Sequence, residues 1–116
     1  MKIRIKGNSI RYRLTKSDVS TLGTVGFLSE FTHFASHSLE YAIRRTNEET
    51  LTADFANHKI VLNIPVEMIA ELVNTEKVGF SDASGTVSIL IEKDFACLDN
   101  VAEDQSDNFP NPNLNC

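Results

Sequence analysis

The 116-residue sequence has little cysteine, proline or glycine, and no tryptophan. Its two cysteines, Cys97 and Cys116, do not make a disulfide framework and read as free thiols. No apolar run approaches the roughly 20 residues that a membrane span needs. The opening, MKIRIKGNSIRYRL, alternates charge with hydrophobe and lacks the continuous apolar stretch of a secretory signal. A cytoplasmic protein with no membrane contact is therefore expected. The sequence also lacks a Walker loop, a G-x-G-x-x-G fingerprint, a C-x-x-C pair, a G-x-S-x-G elbow and a calcium-loop D-x-[DN]-x-[DN]-G. Catalysis, cofactors and metals consequently find little support.

What is present suits a folded α+β domain. Hydrophobic residues make up 41% and charged residues 23%, which argues against global disorder. A chain this long buries roughly two-thirds of its unfolded surface, enough for a core without staples. In KIRIK, Ile3 and Ile5 fall on one face while Lys2, Arg4 and Lys6 fall on the other, the period of a half-buried strand. Gly7-Asn8 then makes a turn, and Ile10, Tyr12 and Leu14 alternate through a second strand. Thr15 or Ser17 can cap a short helix carrying Val19 and Leu22, which Gly23 and Gly26 end. Strands are expected near 27–34 and 38–46.

The pattern then restarts fifty residues on. Ile10, Leu14, Val19 and Leu22 match Ile60, Ile64, Ile69 and Leu72, and Gly7-Asn8 matches Asn57-His58. Pro65 stands at the second helix start, where its missing N–H costs nothing. Further strands are expected at 78–81 and 86–91. Two ββαββ units, 1–46 and 51–92, should therefore share one core within a single domain, 1–98. The expected product is a mostly antiparallel sheet, with room to curl toward a barrel, covered by two short helices. Residues 99–116 are acidic, Asn-rich and carry both late prolines, so they read as an irregular tail. Phe109-Pro110 is the point at which that tail would dock.

The net charge of −5 conceals a split. Residues 1–16 hold six bases and no acid, whereas 94–116 hold five acids (Asp94, Asp99, Glu103, Asp104, Asp107) and no base. On a two-stranded ribbon, Lys2, Arg4, Lys6, Arg11 and Arg13 project to one side. Converging cations bind phosphate or carboxylate. The leading expectation is thus a small binding module, not an enzyme, that turns this face to an anionic small molecule or an acidic protein segment. It fails if the protein's own acids neutralise Arg4, Arg11 and Arg13. Nucleic acid is disfavoured by the negative overall charge and the shortage of aromatics for stacking bases. The alternatives are an enzyme with a pocket near these strands, or a homodimer formed through an edge strand such as 86–91. His33 and His37 are four apart, but they sit at a strand–loop–strand junction, where that spacing does not make a metal site. Glu92-Lys93-Asp94 reads as the place where the chain leaves the core.

The opening MKIRIKGNSIRYRLTKSDV, the phrase ILIEKDFACL and the closing FPNP together resemble a family of uncharacterised small bacterial proteins. The resemblance covers essentially the whole chain. It implies a bacterial, cytoplasmic, single-domain protein, and it transfers no catalytic residue. It draws attention to Lys6, Gly7, Asn8 and Ser9, to Glu92, Lys93, Asp94 and Phe95, and to Phe109 and Pro110. Triphosphate-tunnel enzymes also line a basic channel with charged strands, but they open on E-x-E-x-K; KIRIK lacks those metal-binding glutamates.

Overall fold

The computed structural model describes residues 1–96 and 105–110. Cys97, Cys116, Asp99, Glu103 and Asp104 lie outside the described residues. The elements are β1 (Lys2–Lys6), β2 (Ser9–Leu14), α1 (Lys16–Thr24), β3 (Phe27–His33), β4 (Ser38–Thr46), β5 (Thr52–Ala56), β6 (Lys59–Pro65), α2 (Val66–Asn74), β7 (Gly79–Asp82) and β8 (Ser88–Lys93).

The two units are alike, but neither builds a sheet of its own. One sheet has the order β1-β2-β8-β7 and the other β3-β4-β6-β5. Each sheet therefore joins the first hairpin of one unit to the second hairpin of the other. Exchanging the two units converts one strand order into the other, which is the pseudo-two-fold relation implied by the repeat. The hairpin pairs are antiparallel, while the central joints, β2 with β8 and β4 with β6, are parallel. The result is two mixed four-stranded sheets rather than one curled sheet, and no barrel closes. A further expectation is corrected here. The strand read at 86–91 is β8, which pairs on both sides and offers no edge to a second copy. The edges are β1, β7, β3 and β5.

Local chemistry explains the elements. Gly7 takes φ +53° at the first turn, and Asn57 and His58 take φ +52° and +60° at its counterpart. Both turns thus use left-handed backbone, one through glycine and the other through Asn, which tolerates it better than most side chains. Thr15 caps α1: its side chain accepts from the Asp18 N–H while the Asp18 carboxylate accepts from the Thr15 N–H. Pro65 opens α2 with no side-chain cap. Val19 and Leu22 on α1 are buried, as are Ile69 and Leu72 on α2, and the helices pack against each other.

One apolar cluster joins both sheets and both helices, with Tyr12, Leu14, Leu22, Ile43, Leu62, Ile64 and Ile91 fully enclosed. Burying each such side chain stabilises the fold by about 1.5–3 kcal/mol. The Tyr12 hydroxyl donates to the Ala42 carbonyl at 3.2 Å, tying one sheet to the other. Burial pushes the Tyr12 phenol well above its ordinary pKa, so it stays a donor. No helix among the described residues is long and apolar enough to cross a membrane.

Candidate basic site

Strand alternation and register place the basic residues together. In the β1–β2 hairpin, Lys2 lies opposite Arg13, Arg4 opposite Arg11, and Lys6 opposite Ser9. Residues directly opposite in an antiparallel pair share a face. That face points away from the core, because Ile10, Tyr12 and Leu14 occupy the inner side of β2. Lys2, Ile3, Arg4, Arg11 and Arg13 line a shallow basin of about 210 Å³. Lys6, at the far end of β1, is exposed and lies outside it.

The parallel joint between β2 and β8 brings an acid to this face. Arg13 is in register with Glu92. Glu92 Oε1 accepts from Arg11 Nε at 2.7 Å and from Arg13 Nε at 3.1 Å, and it also contacts Arg11 Nη2. One carboxylate thus clips two guanidinium groups. At the basin edge, Lys2 Nζ lies 3.2 Å from the buried Asp94 carboxylate. Arg4 is exposed and has no carboxylate partner among the described residues. Two of the three arginines therefore share one internal carboxylate, and among the described residues the third has none.

The other singled-out residues act in the framework. Asn8 Nδ2 donates to the Thr86 carbonyl at 2.5 Å, and Ser9 Oγ donates to the Lys6 carbonyl at 2.7 Å. Lys93 is buried, donates to the Thr75 carbonyl at 3.1 Å and lies 4.9 Å from the centre of the Phe109 ring. Desolvation lowers its pKa, with Glu76 acting in the opposite sense. The Phe109 N–H donates to the Asp94 carbonyl, the Ala96 N–H donates to the Phe109 carbonyl, and Phe95 and Phe109 form a parallel bridge. Pro110 follows, exposed. Among the described tail residues, Phe109 thus joins the domain. Asp107 sits at the start of α1: the Lys16 N–H donates to its carbonyl, and the Ser17 N–H to its carboxylate.

His33 Nδ1 is 2.6 Å from Ser38 Oγ across the β3–β4 hairpin, while His37 meets His58 edge-on with ring centres 4.9 Å apart. Among the described residues, no three His, Cys, Asp or Glu side chains gather as metal ligands.

The feature that the residue pattern did not disclose is Glu92. It reads in sequence as an exit from the core, yet it is the anchor of two site arginines. Only the pairing of β2 with β8, some eighty residues apart, reveals it. No curated protein and no solved structure matches the chain. A family model does, over residues 1–113, and the chain belongs to that family, the family of unknown function DUF7009.

Proposed function

We propose that the protein is a small binding module whose basin on the outer face of β1 and β2 takes a compact anion bearing phosphate or carboxylate. The observation that carries the reading is the state of the three arginines. Glu92 holds Arg11 and Arg13 in place, while Arg4 stands opposite Arg11 with no acid of its own among the described residues. Guanidinium groups fixed before binding lose less rotamer freedom when a ligand arrives. Planar forks also match phosphate and carboxylate oxygens in pairs. The concave shape favours a small anion over an extended acidic segment. A bacterial, cytoplasmic setting, implied by the sequence resemblance, belongs to the same proposal, and fractionation of the native host tests it.

The test is a thermal-shift panel at low salt with phosphate, pyrophosphate, nucleotides and dicarboxylates. A ligand at 100 times its dissociation constant adds about 2.7 kcal/mol, a rise on the order of 10 °C in Tm. Arg4→Gln should leave the unliganded Tm within roughly 2–4 °C, because exposed substitutions cost at most about 0.5 kcal/mol. It should also reduce the shift produced by the best anion. A panel with no shift, or a shift that Arg4→Gln leaves intact, removes the basin as the site.

A further inference from the structure

The inner face of the sheets is sealed by side chains along most of its length, but not between the two hairpin turns. By register, Ile5 stands beside Ile10, and Phe55 beside Ile60. All four are inner-face positions. Ile10 and Ile60 are buried, whereas Ile5 is 60% and Phe55 65% exposed. These two pairs are pseudo-two-fold counterparts, fifty residues apart. The hairpin tips therefore diverge and leave a hollow of about 320 Å³ at the ends of β2 and β6 farthest from their helices. Its floor is Ile10 and Ile60, its walls are Ile5 and Phe55, Ala53 and Val87 add apolar surface, and the turn residues 7–9 and Asp54 border it. The wall is low at Ala53, whose counterpart across the pseudo-axis is the larger Ile3.

The geometry points to a second binding site here, one that takes a compact, uncharged, apolar molecule about the size of a two-ring aromatic. Polarity at the rim supports that class. Asn8 Nδ2 donates to the Thr86 carbonyl, and the Ser9 hydroxyl commits its one proton to the Lys6 carbonyl. Asp54 lies between Ala53 and Phe55, so strand alternation turns its side chain toward the opposite face. The hollow thus offers mainly apolar surface, with the Asp54 backbone at its border. Its volume supports the size. A dry cavity of about 150 Å³ accommodates benzene, and small-ligand sites begin near about 300 Å³. The shape argues against a second copy of this chain. Two concave mouths meeting face to face would enclose a larger void, and voids forfeit contacts at a packed interface.

The experiment is a two-dimensional amide NMR titration of the full chain with indole, indole-3-propionate and tryptamine. Indole should shift the amides of Ile5, Gly7, Ala53, Phe55 and Val87 saturably, and neither charged relative should bind more tightly. Ala53→Leu, which fills the hollow from one wall, should abolish the indole shifts. Phe55→Ser should weaken binding at least roughly tenfold, about 1.4 kcal/mol. If Phe55→Ser disturbs folding, Ile5→Ser on the other wall reads the same loss. Three outcomes overturn the assignment. One is indole shifts that scatter over the molecule without saturating. Another is unchanged binding in Ala53→Leu. The third is movement of the same amides with protein concentration alone, accompanied by a dimer in sedimentation, which would make a second copy the occupant.

Discussion

Replacing Glu92 with Gln separates two roles that the structure assigns to one carboxylate. Glu92 is mostly buried between the partly exposed side chains of Arg11 and Arg13, accepting at 2.7 Å from one Nε and at 3.1 Å from the other. Glutamine keeps an acceptor in place and removes the charge. A hydrogen bond to a charged group contributes about 1.5–3 kcal/mol, against roughly 0.5–1.5 for a neutral one. Solvent reaches both guanidinium groups, which discounts the difference, so Glu92→Gln should destabilise the fold by about 1 kcal/mol. That corresponds to a fall of roughly 4–8 °C in Tm for a domain of this size class. Anion binding should move the other way. A carboxylate roughly 6 Å from a bound monoanion repels it by about 0.7 kcal/mol in a water-like dielectric, and by twice that at half the dielectric. Removing it should tighten binding by roughly threefold to tenfold. Calorimetric titration with inorganic phosphate at mildly acidic pH, where the monoanion dominates, and low ionic strength, beside thermal melts without ligand, reads both quantities. The gain should shrink at about 1 M salt, where the screening length falls to roughly 3 Å. A variant that melts earlier and binds no more tightly would refute the reasoning, leaving Glu92 as a structural clip and the basin as ordinary surface.

Three other predictions follow from the framework. A Cβ at Gly79 would lie 2.2 Å from the Ile91 carbonyl oxygen and 2.7 Å from Glu92 Cα, both backbone atoms. Gly79→Ala should therefore cost about 3 kcal/mol and loosen β7 from β8. Gly85→Ala, where a Cβ meets nothing within 4 Å, should be neutral or stabilising by about 0.4–1 kcal/mol. Urea melts should show a clear loss for Gly79→Ala and none for Gly85→Ala, and equal losses would contradict the geometry. Tyr12→Phe removes the hydroxyl that donates to Ala42 across the sheets and should cost about 1 kcal/mol, with loss of amide protection at β4 as the local readout. Hydrogen bonds from Ser17 and Thr15, helped by the Lys16 charge, hold the Asp107 carboxyl below its ordinary pKa. A depressed folded pKa means that the docking contribution is present above the unfolded value of about 3.9 and is lost as pH falls through the lower, folded value. Amide signals of Lys16, Ser17 and Asn108 should accordingly stay constant down to about pH 4 and move together below it. Movement near neutrality would show that Asp107 does not hold the tail.

The sequence by itself determined the local half of this protein. Period-two alternation in KIRIK and in 10–14 marked strands and told inner face from outer, because each side chain's face depends only on its place in its own strand. Gly7-Asn8 and Asn57-His58 marked the turns, because few residues accept positive φ. The shared apolar spacing of Val19 with Leu22 and Ile69 with Leu72 marked the helices and the repeat. The same alternation put Lys2, Arg4, Arg11 and Arg13 on one face. Tertiary structure decided how the hairpins join. Nothing in 1–46 states that its first hairpin must pair with β8, since a parallel joint between distant strands is settled by packing against the whole core and leaves no short-range period. That exchange made two sheets from two units, took β8 away from the edge and carried Glu92 to Arg11 and Arg13. It also left Ile5 and Phe55, two inner-face residues, facing an open hollow, because the hairpin tips diverge where neither helix reaches them.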